Sequence, residues 1–370
     1  MRSNNVLGFI FAATLDDKIP ELASSRTTAS VPIGGKYRII DFDLSNMSNS
    51  GISNVGIVAK SNFQSLMDHV GSGSAYDLSK RRSNLSILPP YDGKAFSSFV
   101  ETIYNMHGYI EHCREEYVLI SQGNVITNID YTDVFDFHSK KKADITLIYK
   151  NHAIPQGYDR PITLDVDNDG KVNQIFVKPG VVDKEVFNHA YGSILIKKDI
   201  LMSEIRNAIS VNQLDVKRLL QSSLGKYSIY AYENKGYCAA ISSINDYFEF
   251  NMDLMKKKVR DELFNPQRPI YTKVRDDAPS RYGLTSNVKN SIIAQGCVIN
   301  GDVENCVISK GVYVGEGAKL SNCIVMQDTK IGCNTNLNYV IIDKDVTIKD
   351  GRSLMGYDSY PIYIAKKSVV

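Results

Sequence analysis

Short apolar runs alternate with amphipathic stretches over the first 260 residues. Four runs have the length and β-branched content of buried strands: residues 6–13, 54–60, 117–122 and 143–149. Helical spacing of apolar residues predicts helices between them, at residues 62–70, 97–112 and 131–142. This alternation indicates an α/β fold with a mostly parallel sheet, whose ligands bind beyond the carboxyl ends of the strands.

A period of 17 residues runs through the last part of the chain. Three apolar columns follow it: Val303, Leu320 and Leu337; Ile308, Val325 and Ile342; Val314, Ile331 and Ile348. Within each turn the apolar positions are five, six and six residues apart. Three short sides per turn predict a triangular parallel β-helix rather than a β-sandwich of short strands. Five glycines suit its corners: Gly296, Gly301, Gly311, Gly315 and Gly332.

Two further segments set the domain organisation. Residues 161–166 and 171–177 alternate around D-N-D-G at 167–170, which predicts a β-hairpin. The same stretch imitates the start of a calcium loop, but Phe176 stands where a bidentate Glu is required, so we favour the hairpin. Three prolines between 264 and 290 indicate a linker there. We therefore expect domains at 1–263 and 291–370.

Composition and charge exclude several classes of function. The chain has 370 residues, with 43 basic and 41 acidic side chains. This balance gives no reason to expect nucleic acid or a membrane as partner, and no apolar run is long enough to span a bilayer. None of the six cysteines forms a C-x-x-C pair, so we expect reduced thiols and a cytoplasmic protein rather than a zinc site.

A long sequence word gives the first specific identification. Residues 31–42 read V-P-I-G-G-K-Y-R-I-I-D-F, followed by L-S-N at 44–46, and N-M-D-L stands at 251–254. These words resemble the signature of bacterial ADP-glucose pyrophosphorylase (glucose-1-phosphate adenylyltransferase). The resemblance implies a nucleotidyltransferase domain, Rossmann-like and of GT-A type, followed by a left-handed β-helix of hexapeptide repeats.

The resemblance also implies a reaction, but this chain lacks several of the residues that the reaction needs. The family joins ATP and glucose 1-phosphate into ADP-glucose and pyrophosphate, chemistry that depends on positioning and on neutralising charge. Its phosphate loop, L-A-G-G-x-G-x-R-L, aligns with residues 11–19. All three glycines are replaced, Asp16 and Asp17 bring negative charge, and Lys18 stands at the Arg position. The family's K-P-A becomes T-A-S at 28–30.

The metal pair of the family is replaced as well. The resemblance aligns Asn124 with the first metal-binding Asp and Ala240 with the second. A neutral amide and a methyl group are poor ligands for Mg²⁺, which prefers carboxylate oxygens. Asp130 and Asp246 lie nearby in the sequence and remain as alternative ligands. We expect no metal and no intact catalytic residue here, with Mg²⁺ and ATP bound productively only in a catalytic partner.

The sugar-phosphate part survives only as a remnant. The family's E-K-P aligns with residues 177–179, so Lys178 remains while the carboxylate becomes Val177. Ala190 replaces a serine, and the family's G-T-A-D-A appears at residues 98–102, where Phe99 would crowd an approach that the glycine allowed. Together these losses resemble the non-catalytic, GlgD-type subunit of the family.

That resemblance implies a regulatory subunit of glycogen biosynthesis that pairs with a catalytic, GlgC-type subunit. We expect a homo-oligomer alone and a heterotetramer with the partner. An active enzyme with an altered site, and a sugar-phosphate or nucleotide sensor without turnover, remain open. Arg26, Lys36 and Arg38 lie near the family's effector anion site and are expected to contribute to an effector site or an interface. A basic run at 80–82 is a second candidate for such contacts.

Overall fold

The computed structural model describes residues 3–13, 16, 18–60, 62–79, 84–89, 98–152, 161–177, 186–274 and 276–370. The strands of the first domain are β1 (Val6–Phe11), β2 (Pro32–Ile33), β3 (Tyr37–Arg38), β4 (Asn54–Val58), β5 (Asn84–Leu88), β6 (Tyr117–Gln122), β7 (Val125–Thr127), β8 (Ile145–His152), β9 (Ile162–Val166), β10 (Val172–Val177), β11 (Phe187–Lys197), β12 (Ile229–Glu233) and β13 (Cys238–Ala240). Its helices are α1 (Pro20–Ala23), α2 (Ile39–Asn49), α3 (Gln64–Val70), α4 (Phe99–Asn105), α5 (His107–His112), α6 (Tyr131–Lys141), α7 (Lys198–Ser210), α8 (Val216–Ser223), α9 (Ile244–Asp253) and α10 (Lys257–Leu263). Among the described residues, no helix has the length and apolar character needed to cross a membrane.

β1 lies in the middle of a nine-stranded mixed sheet. It pairs in parallel with β4 and β6, and β5 extends the parallel part beyond β4. β11 runs antiparallel to β6, β8 and β9, while β10 and β12 lie at outer edges. Along β1, Leu7 and Phe9 belong to the core on one face, and Val6 and Ile10 to the core on the other. The strand is buried on both faces, as its continuous apolar run predicts.

The predicted elements are confirmed, with one helix interrupted. The hairpin forms from β9 and β10, and its turn falls at Asp167–Gly170. The helix predicted at 97–112 is two helices, α4 and α5, because Met106 adopts a non-helical backbone between them. Ser98 begins α4 by accepting a hydrogen bond from the backbone N–H of Glu101.

The second domain is a parallel β-helix with three sheets of five strands. The strands are β14 (Arg281–Tyr282), β15 (Asn287–Lys289), β16 (Ile292–Ile293), β17 (Val298–Ile299), β18 (Asp302–Glu304), β19 (Val307–Ile308), β20 (Tyr313–Val314), β21 (Lys319–Ser321), β22 (Ile324–Val325), β23 (Lys330–Ile331), β24 (Asn336–Asn338), β25 (Val340–Ile342), β26 (Thr347–Ile348), β27 (Ser353–Met355) and β28 (Ile362–Ile364). The register stacks Val303 on Leu320 and Leu337, as the 17-residue period predicts. All three side chains are buried in the β-helix.

The first coil of the β-helix begins inside the segment that the prolines indicate as a linker. β14 and β15 pair in parallel with β17 and β18. Two residues connect β17 to β18, whereas four connect the corresponding strands β20 and β21. This shorter connection breaks the 17-residue period, so the apolar columns do not reveal the first coil.

One side of the β-helix packs against the first domain. Val307, Ile324 and Ile341 share a core with Tyr247 and Phe250 of α9. Because the neighbouring residues of these strands face the β-helix interior, this sheet is buried on both faces. The two domains therefore share a continuous apolar core.

The G-G pair of the signature word lies at this contact. Gly34 and Gly35 both have positive φ angles, of 57° and 83°. A β-carbon on Gly35 would lie 3.4 Å from the carbonyl oxygen of Ile308. The backbone N–H of Gly34 donates to Oδ1 of Asn251, at 3.0 Å. The two signature words thus bond to each other and hold the segment against the β-helix.

Candidate functional site

Asn124 and Ala240 meet at one end of a small two-stranded ladder. β7 and β13 pair antiparallel, with Val125 opposite Ala240. Asn124 directly precedes β7, and its Nδ2 donates to the carbonyl oxygen of Ile241, at 3.2 Å. The backbone N–H of Ile241 donates back to the Asn124 carbonyl, at 2.9 Å. The structure therefore brings together the two positions that the resemblance aligns with a metal pair.

This end of the ladder offers poor metal ligands. Asn124 is 1% exposed, and its Oδ1 has no hydrogen-bond partner among the described residues. The alternative carboxylates have other partners. Asp130 caps the start of α6 by accepting from the backbone N–H of Thr132, and Asp246 accepts from the backbone N–H and the hydroxyl of Ser242. Within the described ranges, no three His, Cys, Asp or Glu side chains are grouped so as to hold a metal ion. The residues present do not fit Mg²⁺.

Asp16, in the segment aligned with the family's phosphate loop, bonds to the segment aligned with K-P-A. Oδ1 of Asp16 accepts from the backbone N–H of Thr28, at 2.8 Å, and from its hydroxyl, at 2.6 Å. Phe99 stacks on Phe11 at the carboxyl end of β1, with ring centroids 4.7 Å apart. Lys18 is exposed. The carboxylate repels a phosphate at this place, and the Phe99 ring covers the strand end.

The remnant of the sugar pocket is only partly described. Lys178 lies outside the described residues, and Ala190 is buried on β11. A cluster of three rings lies beside Ala190. His152 Nε2 is 3.4 Å from His189 Nδ1, and the ring of Tyr191 contacts both imidazoles. Burial lowers the pKa of His189 to about 3, so its imidazole is neutral. β8 and β11 bring this cluster together, and no spacing in the sequence indicates it.

A basic pocket lies between the two domains. Five cationic side chains line it: Lys36, Arg38, Lys273, Lys310 and Lys344. Burial, together with the charges of Arg38 and Arg26, lowers the pKa of Lys344 to about 7. Asp68 is the carboxylate among the lining residues, so positive charge is in excess. Such a pocket is suited to a small anion.

Lys36 and Arg38 have different surroundings in this pocket. Lys36 is exposed, and its Nζ lies 4.8 Å from the ring centroid of Tyr37. Arg38 is half-buried, and its Nη1 donates to the carbonyl and hydroxyl oxygens of Ser65, at 2.5 and 2.9 Å. Arg38 thus anchors the start of α3 as well as lining the pocket. No sequence motif indicates Lys273, Lys310 and Lys344, which lie far from the signature word in the chain.

Arg26 lies behind the basic pocket, in the domain interface. It is 2% exposed, and Nη2 contacts both carboxylate oxygens of Asp343, at 2.7 and 2.6 Å. The same carboxylate accepts from the hydroxyl of Tyr363 and from the backbone N–H of Lys344. Arg26 therefore holds the domains together and acts on the pocket through Lys344. The run at 80–82 lies outside the described residues.

Comparisons with known proteins match both domains. Residues 17–257 match the family described as nucleotidyl transferase, and residues 273–360 match the GlmU-like, C-terminal hexapeptide family. The glycogen biosynthesis protein GlgD of Bacillus subtilis is 32% identical over 370 residues, which cover 99% of this chain and 97% of the relative. GlgD of Geobacillus stearothermophilus is 37% identical, over 85% of this chain and 83% of the relative. A glucose-1-phosphate adenylyltransferase of Clostridium acetobutylicum is 33% identical, over 85% and 84%.

Proposed function

This chain belongs to the nucleotidyl transferase family, and we propose that within it the chain is a regulatory, catalytically silent subunit of ADP-glucose pyrophosphorylase in glycogen biosynthesis. The observation that carries the proposal is the placement of Asn124 and Ala240 at the same end of the β7–β13 ladder, where Ala240 lies opposite Val125 and Asn124 bonds to Ile241. An amide and a methyl group supply no carboxylate where the family's reaction needs a metal. We derive no catalytic step through Mg²⁺ in this chain.

The phosphate side supports the same proposal. The Asp16 carboxylate of the aligned loop already accepts from the backbone N–H of Thr28, in the segment that aligns with the family's K-P-A. An incoming triphosphate would have to displace this carboxylate and overcome its negative charge. Loss of the metal pair and reversal of charge in the loop act on different parts of the reaction, so restoring one does not repair the other.

The basic pocket supports a regulatory role. Its cations come from both domains, so a bound anion contacts the first domain and the β-helix together. A ligand at such a place favours one relative arrangement of the domains, which is the requirement for coupling to a partner. The pocket has a volume of about 50 Å³, which suits one phosphate group rather than a whole sugar phosphate. We propose a phosphorylated metabolite as the effector, with one phosphate group in the pocket and fructose 1,6-bisphosphate as the probe. A sensor without turnover would use the same pocket.

The β-helix supports assembly with another subunit. In the part of the chain that the structure describes, no further coil lies beyond the outer edge of its first coil, and Leu284 and Tyr282 are exposed there. Exposed strand edges with apolar side chains are commonly covered by another chain. We propose a homo-oligomer alone and a heterotetramer with a catalytic, GlgC-type subunit.

The test titrates this chain into a catalytic adenylyltransferase subunit from the same organism, with light scattering to follow co-assembly. We expect the partner's turnover or apparent substrate affinity to rise by about 5- to 150-fold, the usual range of allosteric coupling. Co-assembly with an unchanged rate, with and without the anion, would contradict the regulatory role and leave a structural one.

A further inference from the structure

A side groove runs along α6 and β12, away from the candidate catalytic positions. It has two adjoining lobes of about 660 and 540 Å³, which share Asn128, Gly236 and Arg268 as lining residues. Asn128 follows β7, whereas Asn124 precedes it. The groove therefore lies at the opposite end of the β7–β13 ladder, roughly 13 Å away at the rise of a strand.

The larger lobe combines aromatic rings with nearly balanced charge. Phe137, Tyr149 and Tyr232 are half-buried lining residues. The Phe137 and Tyr232 rings lie edge to face with centroids 5.6 Å apart, whereas Tyr149 packs on the other face of the sheet, because it pairs with Glu233. Five carboxylates and four cations surround them, and two of these pairs approach each other: Lys141 with Asp169, and Arg268 with Asp130. The groove thus lacks the excess positive charge that a phosphorylated ligand requires.

Carboxylate acceptors lie close to these two tyrosines. Burial raises the pKa of Tyr232 and of Tyr149. The exposed carboxylate of Asp133 raises the pKa of Tyr232 further, and that of Glu233 does the same for Tyr149. The tyrosine hydroxyls therefore keep their protons close to carboxylates. This pattern of ring faces flanked by carboxylate acceptors matches a ligand with apolar faces and many hydroxyl donors.

One buried acceptor at the junction of the two lobes has no partner. Nδ2 of Asn128 donates to the carbonyl oxygens of Leu263 and Arg268, at 2.8 and 2.9 Å. Its Oδ1 has no hydrogen-bond partner among the described residues, although Asn128 is only 6% exposed. Because this oxygen is itself buried, a ligand in the groove would reach it through a bridging water.

We propose that the side groove binds a neutral oligosaccharide, with a sugar ring against Tyr232 and Phe137 and a sugar hydroxyl donating to Asp133. Two lobes that meet at Asn128 suit a chain of sugars better than a single one, and the larger lobe has the volume of an ordinary ligand pocket. The proposed role in glycogen biosynthesis selects an α-linked glucan as the probe. Binding needs no turnover, so the result does not depend on the catalytic proposal.

The experiment is a calorimetric titration of the full chain with maltoheptaose. We expect saturable binding, weakened about tenfold by Asp133→Ala, since a hydrogen bond to a charged group is lost. Tyr232→Ser should weaken it as well, with thermal unfolding checked because this ring is half-buried. Asp136→Ala is the matched control, an exposed carboxylate on the same helix outside the groove. No heat with the wild-type chain at about 1 mM probe, or equal affinity in Asp133→Ala and Asp136→Ala, would overturn the proposal.

Discussion

Arg26 and Asp343 form a buried, two-point ion pair across 317 residues of sequence and across the two domains. Both side chains are at most 2% exposed. Removing one partner leaves the other charge buried and unpaired. The pair thus fixes the wall of the basic pocket, because the backbone N–H of Lys344 donates to the same carboxylate.

The first prediction concerns the stability of this contact. Arg26→Ala should lower the free energy of unfolding by about 3–5 kcal/mol, the usual cost of breaking a buried pair. Lys256→Ala, which removes an exposed pair with Asp253, should change it by less than about 1 kcal/mol. Denaturant unfolding of both variants checks this, and equal losses would mean that the domain contact does not depend on the pair.

A buried carboxyl on α2 should make stability depend on pH. Burial raises the pKa of Asp43 to about 7; Ser121 donates to Oδ1, and Oδ2 has no partner among the described residues. Between pH 3.8 and 7 the folded chain keeps a proton that the unfolded chain has lost, so stability falls as pH rises through this window. Above pH 7, Asp43→Asn should be more stable than the wild type by up to about 4 kcal/mol.

The measurement is denaturant unfolding of Asp43→Asn at several pH values. Its advantage should grow from pH 4 to pH 7 and then stay constant. Asp136→Asn, an exposed change on α6, controls for the lost charge. An advantage that does not vary with pH would show that Asp43 is ionised in the folded chain throughout.

Anion binding in the basic pocket should weaken as pH rises. Lys344 has a pKa of about 7 in the pocket, so it is cationic below that pH and neutral above it. Affinity for fructose 1,6-bisphosphate should therefore fall between pH 6 and 8, although the phosphates become more negative over that range. Lys344→Gln should bind more weakly at pH 6 and lose this decline, as calorimetry would measure. An affinity that rises with pH in the wild type would place the anion elsewhere.

Restoring the metal pair alone should not restore catalysis. Asn124→Asp with Ala240→Asp returns two carboxylates to the end of the ladder, but Asp16 still bonds to the amide of Thr28. We expect turnover to stay far below that of a catalytic subunit in assays with ATP, glucose 1-phosphate and Mg²⁺. Rates close to the partner's in the double variant would show that the loop matters less than the metal pair.

The periodic parts of the fold could be predicted from the sequence. A 17-residue period determines which side chains face the β-helix interior, so Val303, Leu320 and Leu337 stack as expected. The corners are less predictable: of the five glycines expected there, Gly296 and Gly311 have positive φ angles, and Asn305 and Asn322 adopt the same conformation at other corners. Short polar side chains tolerate this conformation, so glycine alone is an incomplete guide.

The candidate site could be predicted only in part. Lys36 and Arg38 stand in a recognisable word, whereas Lys344 joins them through packing of the β-helix on the first domain. Arg38 was expected at an effector site or an interface; it lines the basic pocket but also anchors Ser65, so Arg38→Ala changes the start of α3 as well as the pocket. Contacts between distant segments depend on the assembled domains, and no local pattern encodes them.

The most direct test of the central claim is pyrophosphate release by the purified chain alone, with ATP, glucose 1-phosphate and Mg²⁺. Asn124→Ala serves as the matched control, because any contaminating enzyme contributes equally to both preparations. We predict the same background rate in the wild type and the variant, since neither Asn124 nor Ala240 supplies a carboxylate to a metal. A wild-type rate clearly above background that Asn124→Ala abolishes would place catalysis at this site and contradict the account.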